Sequence, residues 1–398
     1  MSSIVKGIVI VGAKRTAFGT YGGKLTNTSL SDLQAASLGA ALTSAGVKPE
    51  LVDSVNVGNV FSDSSSDGTL VARHAALKCG IPIETPALGI NRWCGSSFQS
   101  VITSCQDIRN GLAEISVAGG VENFSAAPFC APNIRFGVRL GQPLKLEDAL
   151  EFRSIDTYCN MSMALTAEKL GALKQITRDE VDEYSLRSQQ LWKAAHDAGR
   201  FKEETAPISV EVKKKVISFE VDEHPRTQST LEGLKKLKSL FKENGLVTAG
   251  SASGICDGSG AIVVASEAAA TKHNLKPLAR ILSFATVGVD PSIMGIGPVP
   301  AIRAALKAAG KTLDDMDLIE INEAFAAQTL ACAKELNIDM NKLNVNGGAI
   351  AIGHPLGTSG ARITAHLVHE LRRRKAKLGI GSACIGGGQG IAILMESL

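Results

Sequence analysis

Three short stretches of the chain hold residue types capable of covalent chemistry. The first is "INRWCGSSFQS" (90–100), where Cys94 precedes a Gly-Ser-Ser turn. Beyond it Phe98, Val101, Ile102, Cys105 and Ile108 recur at helical spacing, which predicts a helix starting near Gly95 or Ser96. A thiol at a helix start meets free backbone N–H groups and the positive end of the helix dipole, and its pKa can fall from about 8.5 into a range of about 3.5–7.5. Gly95 removes side-chain bulk beside the sulfur. The second stretch is "GHPLG" (353–357), in which His354 is fenced by Gly353 and Pro355 and reads as a residue of a fixed loop. Histidine is the usual base for a cysteine nucleophile. The third is "SACIGGGQG" (382–390), with Cys384 at the end of an apolar strand and glycines whose N–H groups are free to donate to an oxyanion. Asn322 and Glu323, in "INEAFA" (321–326), form a polar pair at another strand end that core packing does not account for. Each motif also has an ordinary structural reading: cysteine is among the most buried residue types, and a loop histidine often serves only as a hydrogen-bonding scaffold.

An internal repeat bears on how these residues are positioned. "AALTSAGVKPELVDSVNVGN" (40–59) lies over "AALKAAGKTLDDMDLIEINE" (304–323) without a gap, Gly46 on Gly310 and Asp53 on Asp317, 264 positions apart in each case. Both segments end a helix at "AG" and continue through an acidic linker into an apolar strand. The same offset sets Cys94 opposite Thr358, within "GHPLGTSGARITAHLVHEL", so the Cys94 and His354 loops stand at equivalent points of two halves. Two equivalent loops in a pseudo-symmetric protein can converge on one site. Strand patterns such as "VDSVNV", "AEISVAG", "GAIVVAS" and "MDLIEIN" alternate with helical ones, the mark of α/β layers rather than of a solenoid. Residues 125–247 differ in composition and read as an insertion over the ligand site. It contains a helix at 177–199, with Thr177 as N-cap, Glu180 completing a capping box and Gly199 as its stop; "VKKKVISFEVDEHPRTQST" reads as its least regular part. The chain divides into a first half (1–124, completed by 248–275), the insertion, and a second half (276–398).

Composition narrows the function classes. The chain has 398 residues, 44% apolar and 20% charged, ample for a large core. A net charge of +3 gives no argument for nucleic acid, and the basic runs at 213–215 and 372–374 read as solvated faces. Eight cysteines occur without a C-x-x-C pair, so we read free thiols in a reducing compartment and expect no metal site. No apolar run is long enough to span a membrane. The first 31 residues carry four basic residues and no acid, like a transit peptide, yet "IVIVGAKRTAFG" reads as a buried strand and loop, so the start belongs to the fold. The histidines of "HLVHE" (366–370) lack zinc-protease order and read as helix-surface residues.

Together "NRWCGSS", "NEAFA", "GGAIAIGHPLGTSGARI" and "CIGGGQG" resemble the thiolase family, in the family's order and over nearly the whole chain. "VDEHPR", "DPSIMGIGPVPAI" and "HLVHELRRR" resemble its mitochondrial 3-ketoacyl-CoA type. The resemblance implies an α/β thiolase fold, two βαβαβαββ halves in a five-layered αβαβα core with an inserted loop domain. It implies thiolytic cleavage of a 3-ketoacyl-CoA by CoA to acetyl-CoA and a shortened acyl-CoA, as in β-oxidation. Cys94 then resembles the nucleophile, His354 its base, and Cys384 the acid/base at the acetyl enolate and incoming CoA. Asn322, through a held water, and His354 resemble one oxyanion site, and the N–H groups of Cys94 and Gly386 the other. For CoA, family matching implicates Arg226, Ser253, Met163, Phe241, Met294 and Phe325. It implies coenzyme A as a substrate, no tightly bound cofactor, a homo-oligomer (dimer or tetramer) and the mitochondrial matrix, with the cytoplasm as the alternative. Trp93 and Phe124 depart from the Leu and Met common in the family, which bears on cavity shape. Two other readings stand beside this one: an acetoacetyl-CoA-specific acetyltransferase, and a non-catalytic CoA or lipid carrier. Condensing synthases carry a second histidine or an asparagine where Cys384 stands, which argues against them.

Overall fold

The strand Ile8–Thr16 is apolar on both faces, and the two faces go to different places. Val9 and Val11 pack with the helix Leu30–Ala45, whereas Ile8 and Ile10 pack with the helices Ser96–Arg109 and Ser359–Arg374. A strand covered by helices on both sides reads as a continuous apolar run instead of an alternating one. The strand Cys256–Ser266 divides likewise, Ala261, Val263 and Ala265 to one side and Ile262 and Val264 to the other. In the second half, Gln389–Ser397 sends Ile391, Ile393 and Met395 to the shared middle layer, and Ala392 and Leu394 to a third core under the helices Pro298–Ala309 and Ala326–Leu336. The layers are therefore helix, sheet, helix, sheet, helix, as the resemblance implied. The computed structural model describes residues 2–398, with side chains from Val5 onward.

Each half follows the same winding. The first half's strands lie in the order Ala87–Ile90, Ser54–Gly58, Ile115–Glu122, Cys256–Ser266, Ile8–Thr16, with the first three mutually parallel and the last two antiparallel to their neighbours. The second half's order is Leu318–Ile321, Leu378–Ile385, Gln389–Ser397, Ala279–Gly288. The sheets join where Ala279 and Arg280 pair with Ile10 and Val9. Gly46 and Gly310 close matching helices in the left-handed conformation (φ 67 and 64), where a glycine carries no Cβ penalty. The halves differ at one strand. The counterpart of Ala87–Ile90 is reduced to a single bridge between Ile319 and Leu343. Beyond it the Asn344 side chain takes over the ladder, accepting from Ile321 N and donating to Ile321 O, both at 2.9 Å.

Two regions depart from the sequence reading. The stretch around "VKKKVIS" is a regular hairpin, Ile208–Val212 against Lys215–Phe219. Its turn is made by Lys213 and Lys214 at φ 50 and 62, positions usually filled by Asn-Gly, so the turn signal was absent. Of the histidines of "HLVHE", His366 is buried and His369 half-buried, neither on the open surface expected. Their helix belongs to the middle layer: His366 pairs with Glu204 (2.8 Å) and His369 Nε2 donates to the Ala13 carbonyl (2.9 Å). The N-terminal stretch forms the buried strand expected of it, and the helix Arg178–Asp197 carries the expected capping box. Among the described residues, no helix is long and apolar enough to cross a membrane.

Candidate active site

The two middle-layer helices meet at their starts. The Ala361 N–H donates to Ser97 Oγ at 2.8 Å, and these two residues are each other's counterparts, 264 positions apart. A residue that touches its own counterpart lies on the axis relating the halves. The approach is close enough that a Cβ on Gly360 would stand 2.3 Å from the Phe98 backbone nitrogen, and one on Gly120 would stand 2.0 Å from the Gly357 carbonyl oxygen. Just ahead of these helices are the turn Trp93–Gly95 and the loop carrying His354. Cys94 and His354 thus reach one cavity of about 170 Å³, whose wall also includes Met163, Ser253, Met294 and Phe325. Trp93 takes φ 47, uncommon for a bulky residue. Asn91 Oδ1 accepts from its N–H, and its carbonyl accepts from Ser96 Oγ. Its ring lies over Gly386, where a Cβ would come within 3.1 Å.

The resting electrostatics differ from those expected of a helix-start thiol. Burial pushes the Cys94 thiol up to about 11; the N–H groups of Gly386 and of Cys94 itself pull the other way, and the Glu122 charge adds to the rise. Desolvation of an anion in an apolar cavity outweighs the N–H donors, so the lowered pKa expected from the sequence is not the resting state. Burial, helped by the charge of Arg362, lowers the His354 pKa to about 3, leaving the ring neutral. Asn322 Nδ2 lies 3.2 Å from His354 Nε2, and His354 Nδ1 lies 2.5 Å from Ser359 Oγ, whose hydroxyl donates to the Pro355 carbonyl at 3.1 Å. These contacts assign the ring proton to Nδ1 and leave Nε2 as the acceptor, the form a base requires. Asn322 Oδ1 is buried with no partner among the described residues, a free acceptor on a side chain that contacts His354. Cys384 is fully buried, and burial together with the neighbouring Cys94 raises its pKa. Both thiols are therefore neutral at rest. No hydrogen bond joins Cys94 to His354 among the described residues.

Of the residues singled out from sequence, Cys94, His354, Ser253, Met163, Met294 and Phe325 line the cavity. Cys384 lies directly behind Met163, Met294 and Phe325, and Asn322 and Gly386 reach the site through the contacts above. Arg226 and Phe241 do not line it. Arg226 is exposed, its N–H donating to Gln189 Oε1, and its charge acts on His224, whose ring fills the space over Gly254 on the cavity wall. Phe241 is 48% exposed. Glu323 is structural: it accepts from Tyr184 Oη, Ser188 Oγ and Ile350 N, tying the insertion's long helix to the second half. Sequence reasoning passed over Ser359 and Glu122. Glu122 is buried and accepts from Val60 N, Phe61 N, Gly357 N and Asn59 Nδ2, bracing the loops of both halves; burial pushes its pKa up to about 7. Its signal, an acid inside the apolar "GGVENFS", was visible.

A duplicated α/β core that turns the helix starts of both halves onto one pair of thiols is the architecture of cysteine-dependent acyl transfer of the thiolase kind. The family models for the thiolase N-terminal domain and C-terminal domain match residues 8–268 and 275–397, and the chain belongs to the thiolase family. It is 56% identical to the mitochondrial 3-ketoacyl-CoA thiolase of Homo sapiens over 395 residues, 99% of each chain. It is 46% identical to an acetyl-CoA acetyltransferase of Syntrophomonas wolfei, covering 98% of this chain and 99% of that one. The crystal structure of human mitochondrial 3-ketoacyl-CoA thiolase in complex with CoA superposes with a TM-score of 0.96 at 56% identity, covering 100% of this chain and 99% of that one.

Proposed function

We propose that the protein cleaves 3-ketoacyl-CoA with CoA, giving acetyl-CoA and an acyl-CoA two carbons shorter, in fatty-acid β-oxidation. The observation that carries this is Cys94 in a half-open apolar cavity, facing the N–H of Gly386, beside a neutral His354 whose Nε2 is an acceptor. The Cys94 sulfur attacks the 3-keto carbon as its proton passes to His354. The C2–C3 bond then breaks. The acyl group stays on sulfur as a thioester, and the acetyl-CoA enolate takes the Cys384 proton. The Cys384 thiolate next deprotonates incoming CoA, whose sulfur attacks the thioester, and His354 returns its proton to Cys94. Asn322, through a water held by its free Oδ1, and His354, once protonated, serve the thioester oxygen, and the N–H groups of Cys94 and Gly386 serve the tetrahedral oxygen; each lost donor costs about 2.7–4 kcal/mol in the transition state.

In the same reading Met163, Ser253, Met294 and Phe325 receive the pantetheine end of CoA, with Arg226 and Phe241 on the outer rim of the insertion 125–247. The partition into a first half (1–124 with 248–275), this insertion and a second half (276–398) belongs to the proposal. So do a mitochondrial rather than cytoplasmic setting, which matches the naming of the 55–56% identical relatives, and association into a dimer or tetramer. The edge strand Ala87–Ile90, paired on one side only among the described residues and with Leu88 half-exposed, supports association.

Thiolysis of acetoacetyl-CoA and of a longer 3-ketoacyl-CoA by the wild type and Cys94→Ala tests the reaction. A loss of several orders of magnitude in the variant is expected; equal rates would sink the mechanism. Mass spectrometry after brief exposure to acetyl-CoA should find the acetyl group on Cys94, where a CoA carrier would show bound CoA and no adduct. The small cavity favours a second reading, an enzyme confined to acetoacetyl-CoA, which a chain-length series of kcat/KM separates.

A further inference from the structure

The cavity at Cys94 has two kinds of wall. Met163, Met294 and Phe325 pack directly over Cys384. The other wall is aromatic and comes from different elements. Phe61 follows the strand Ser54–Gly58, and Phe124 follows Ile115–Glu122, with ring centroids 5.1 Å apart edge to face. Leu150 joins them from the short helix Ala149–Arg153 of the insertion. Phe61 is fixed twice. Its N–H donates to Glu122 Oε1 at 2.8 Å. Its ring is covered by the Arg153 guanidinium, 5.3 Å from the centroid, and that guanidinium forms a bidentate pair with Asp63 at 2.7 and 2.6 Å. Phe61 is 3% exposed, whereas the Arg153 and Asp63 side chains are 34% and 37% exposed, so the ion pair stands between the ring and solvent.

Size makes this arrangement selective. A cavity of about 170 Å³ is close to the roughly 150 Å³ that holds one benzene, which is room for about six carbons. The cavity is half open, and its mouth must take the thioester arm of CoA, so a longer acyl chain must displace a wall. The methionine wall backs onto Cys384 and cannot yield without moving a reacting thiol. The aromatic wall backs onto an ion pair at the surface.

We propose that Phe61, clamped by the Arg153–Asp63 pair, is the end stop of the acyl site and sets chain-length specificity: acyl groups of up to about six carbons fit the resting site, and longer ones enter only when the pair opens. This rests on the thiolytic reading above. The test is kcat/KM for thiolysis of acetoacetyl-CoA and 3-ketodecanoyl-CoA by the wild type, Phe61→Ala and Arg153→Gln. The ten-carbon to four-carbon ratio should rise at least about tenfold in Phe61→Ala, the scale on which pocket size discriminates chains. It should also rise in Arg153→Gln. In the wild type the ratio should climb with ionic strength, because a half-exposed ion pair is screened by salt, and this salt response should vanish in Arg153→Gln. A purely structural role for the pair would not move that response. Ratios within twofold of wild type in the folded variants overturn the inference. If Phe61→Ala does not fold, Arg153→Gln, which removes only a surface pair, decides alone. A wild type with no thiolysis of acetoacetyl-CoA would overturn the reaction reading, and the end stop with it.

Discussion

At the scale of the residue, the Cys94 sulfur sits between two opposing effects. The N–H groups of Gly386 and of Cys94 favour a thiolate, burial among Trp93, Phe124 and Met163 disfavours it, and burial prevails, pushing the thiol up to about 11. The nucleophile is therefore released only as its proton moves to His354 during attack, which protects it from stray electrophiles between turnovers. Iodoacetamide labelling of the Cys94 peptide, followed by mass spectrometry from pH 6 to 10.5, tests this. The rate should keep rising across the whole range, since the thiolate fraction still grows near pH 10. A plateau below pH 8 would show a thiolate already formed at rest. Cys94, His354 and Cys384 were legible in the sequence because their chemistry lies in the residue type and in short glycine-flanked motifs. The thiol's resting state was not legible, because desolvation depends on everything packed around the sulfur. Ser359 was missed for a related reason: it acts only through the His354 ring, and nothing in "GTSG" singles out one hydroxyl.

Among the elements, the insertion is held to both halves by one buried charge network. Arg15, on the first half's strand Ile8–Thr16, bonds Glu204 at 2.7 Å and Asp222 at 2.7 and 3.0 Å, both from the insertion. His366, on the second half's helix, takes the other Glu204 oxygen. Burial works against the Glu204 charge, yet the charges of His366 and Arg15 outweigh it and hold the carboxyl down at about 2. A carboxyl depressed in the folded state stabilises above its unfolded value, about 4.5, and that contribution is lost as pH falls from 4.5 towards 2. For His366, burial lowers the pKa but Glu204 raises it further, so its contribution is complete below 6.5 and lost as pH rises through the raised folded value. Glu204→Gln should cost about 3–5 kcal/mol at pH 7, because Arg15 and His366 each lose a buried partner. Urea unfolding between pH 3 and 7 should show the stability gap between wild type and variant closing as the acid arm is crossed. A gap independent of pH would mean the network is not the acid-labile latch. The sequence hid this latch because its members are scattered across all three segments of the chain. The helical pattern in "ARITAHLVHEL" shows one apolar stripe, and nothing marks the opposite face as covered by ion pairs instead of water.

For the whole molecule, the duplication decides where chemistry happens. The offset of 264 was plain in the sequence, and it placed the cysteine and histidine loops at equivalent points of the two halves. What it could not show is that the axis passes through the helix starts themselves, so that Ser97 accepts from its own counterpart Ala361. Nor could it show that the second half's third strand is reduced to one bridge, beyond which an asparagine side chain continues the ladder. The approach on the axis demands a glycine, and two Gly→Ala substitutions separate that demand from ordinary helix propensity. In Gly39→Ala the new methyl meets only the Cys79 sulfur at 3.7 Å, an ordinary contact inside the helix Leu30–Ala45. That variant should gain about 0.5–1 kcal/mol from the lower entropy of its unfolded chain. In Gly360→Ala the methyl would lie 2.3 Å from the Phe98 backbone nitrogen, an atom fixed within a helix that cannot swing aside. The helix starts must separate, at a cost of about 1–3 kcal/mol in stability. Because Cys94 and His354 ride on opposite sides of that contact, kcat should fall by about 10²-fold, the scale of a 1 Å misplacement, while KM stays near its wild-type value. Urea melts and acetoacetyl-CoA thiolysis on both variants measure the contrast. Full kcat with undiminished stability in Gly360→Ala would mean that the close contact of the two halves does not set the geometry of the thiol and its base.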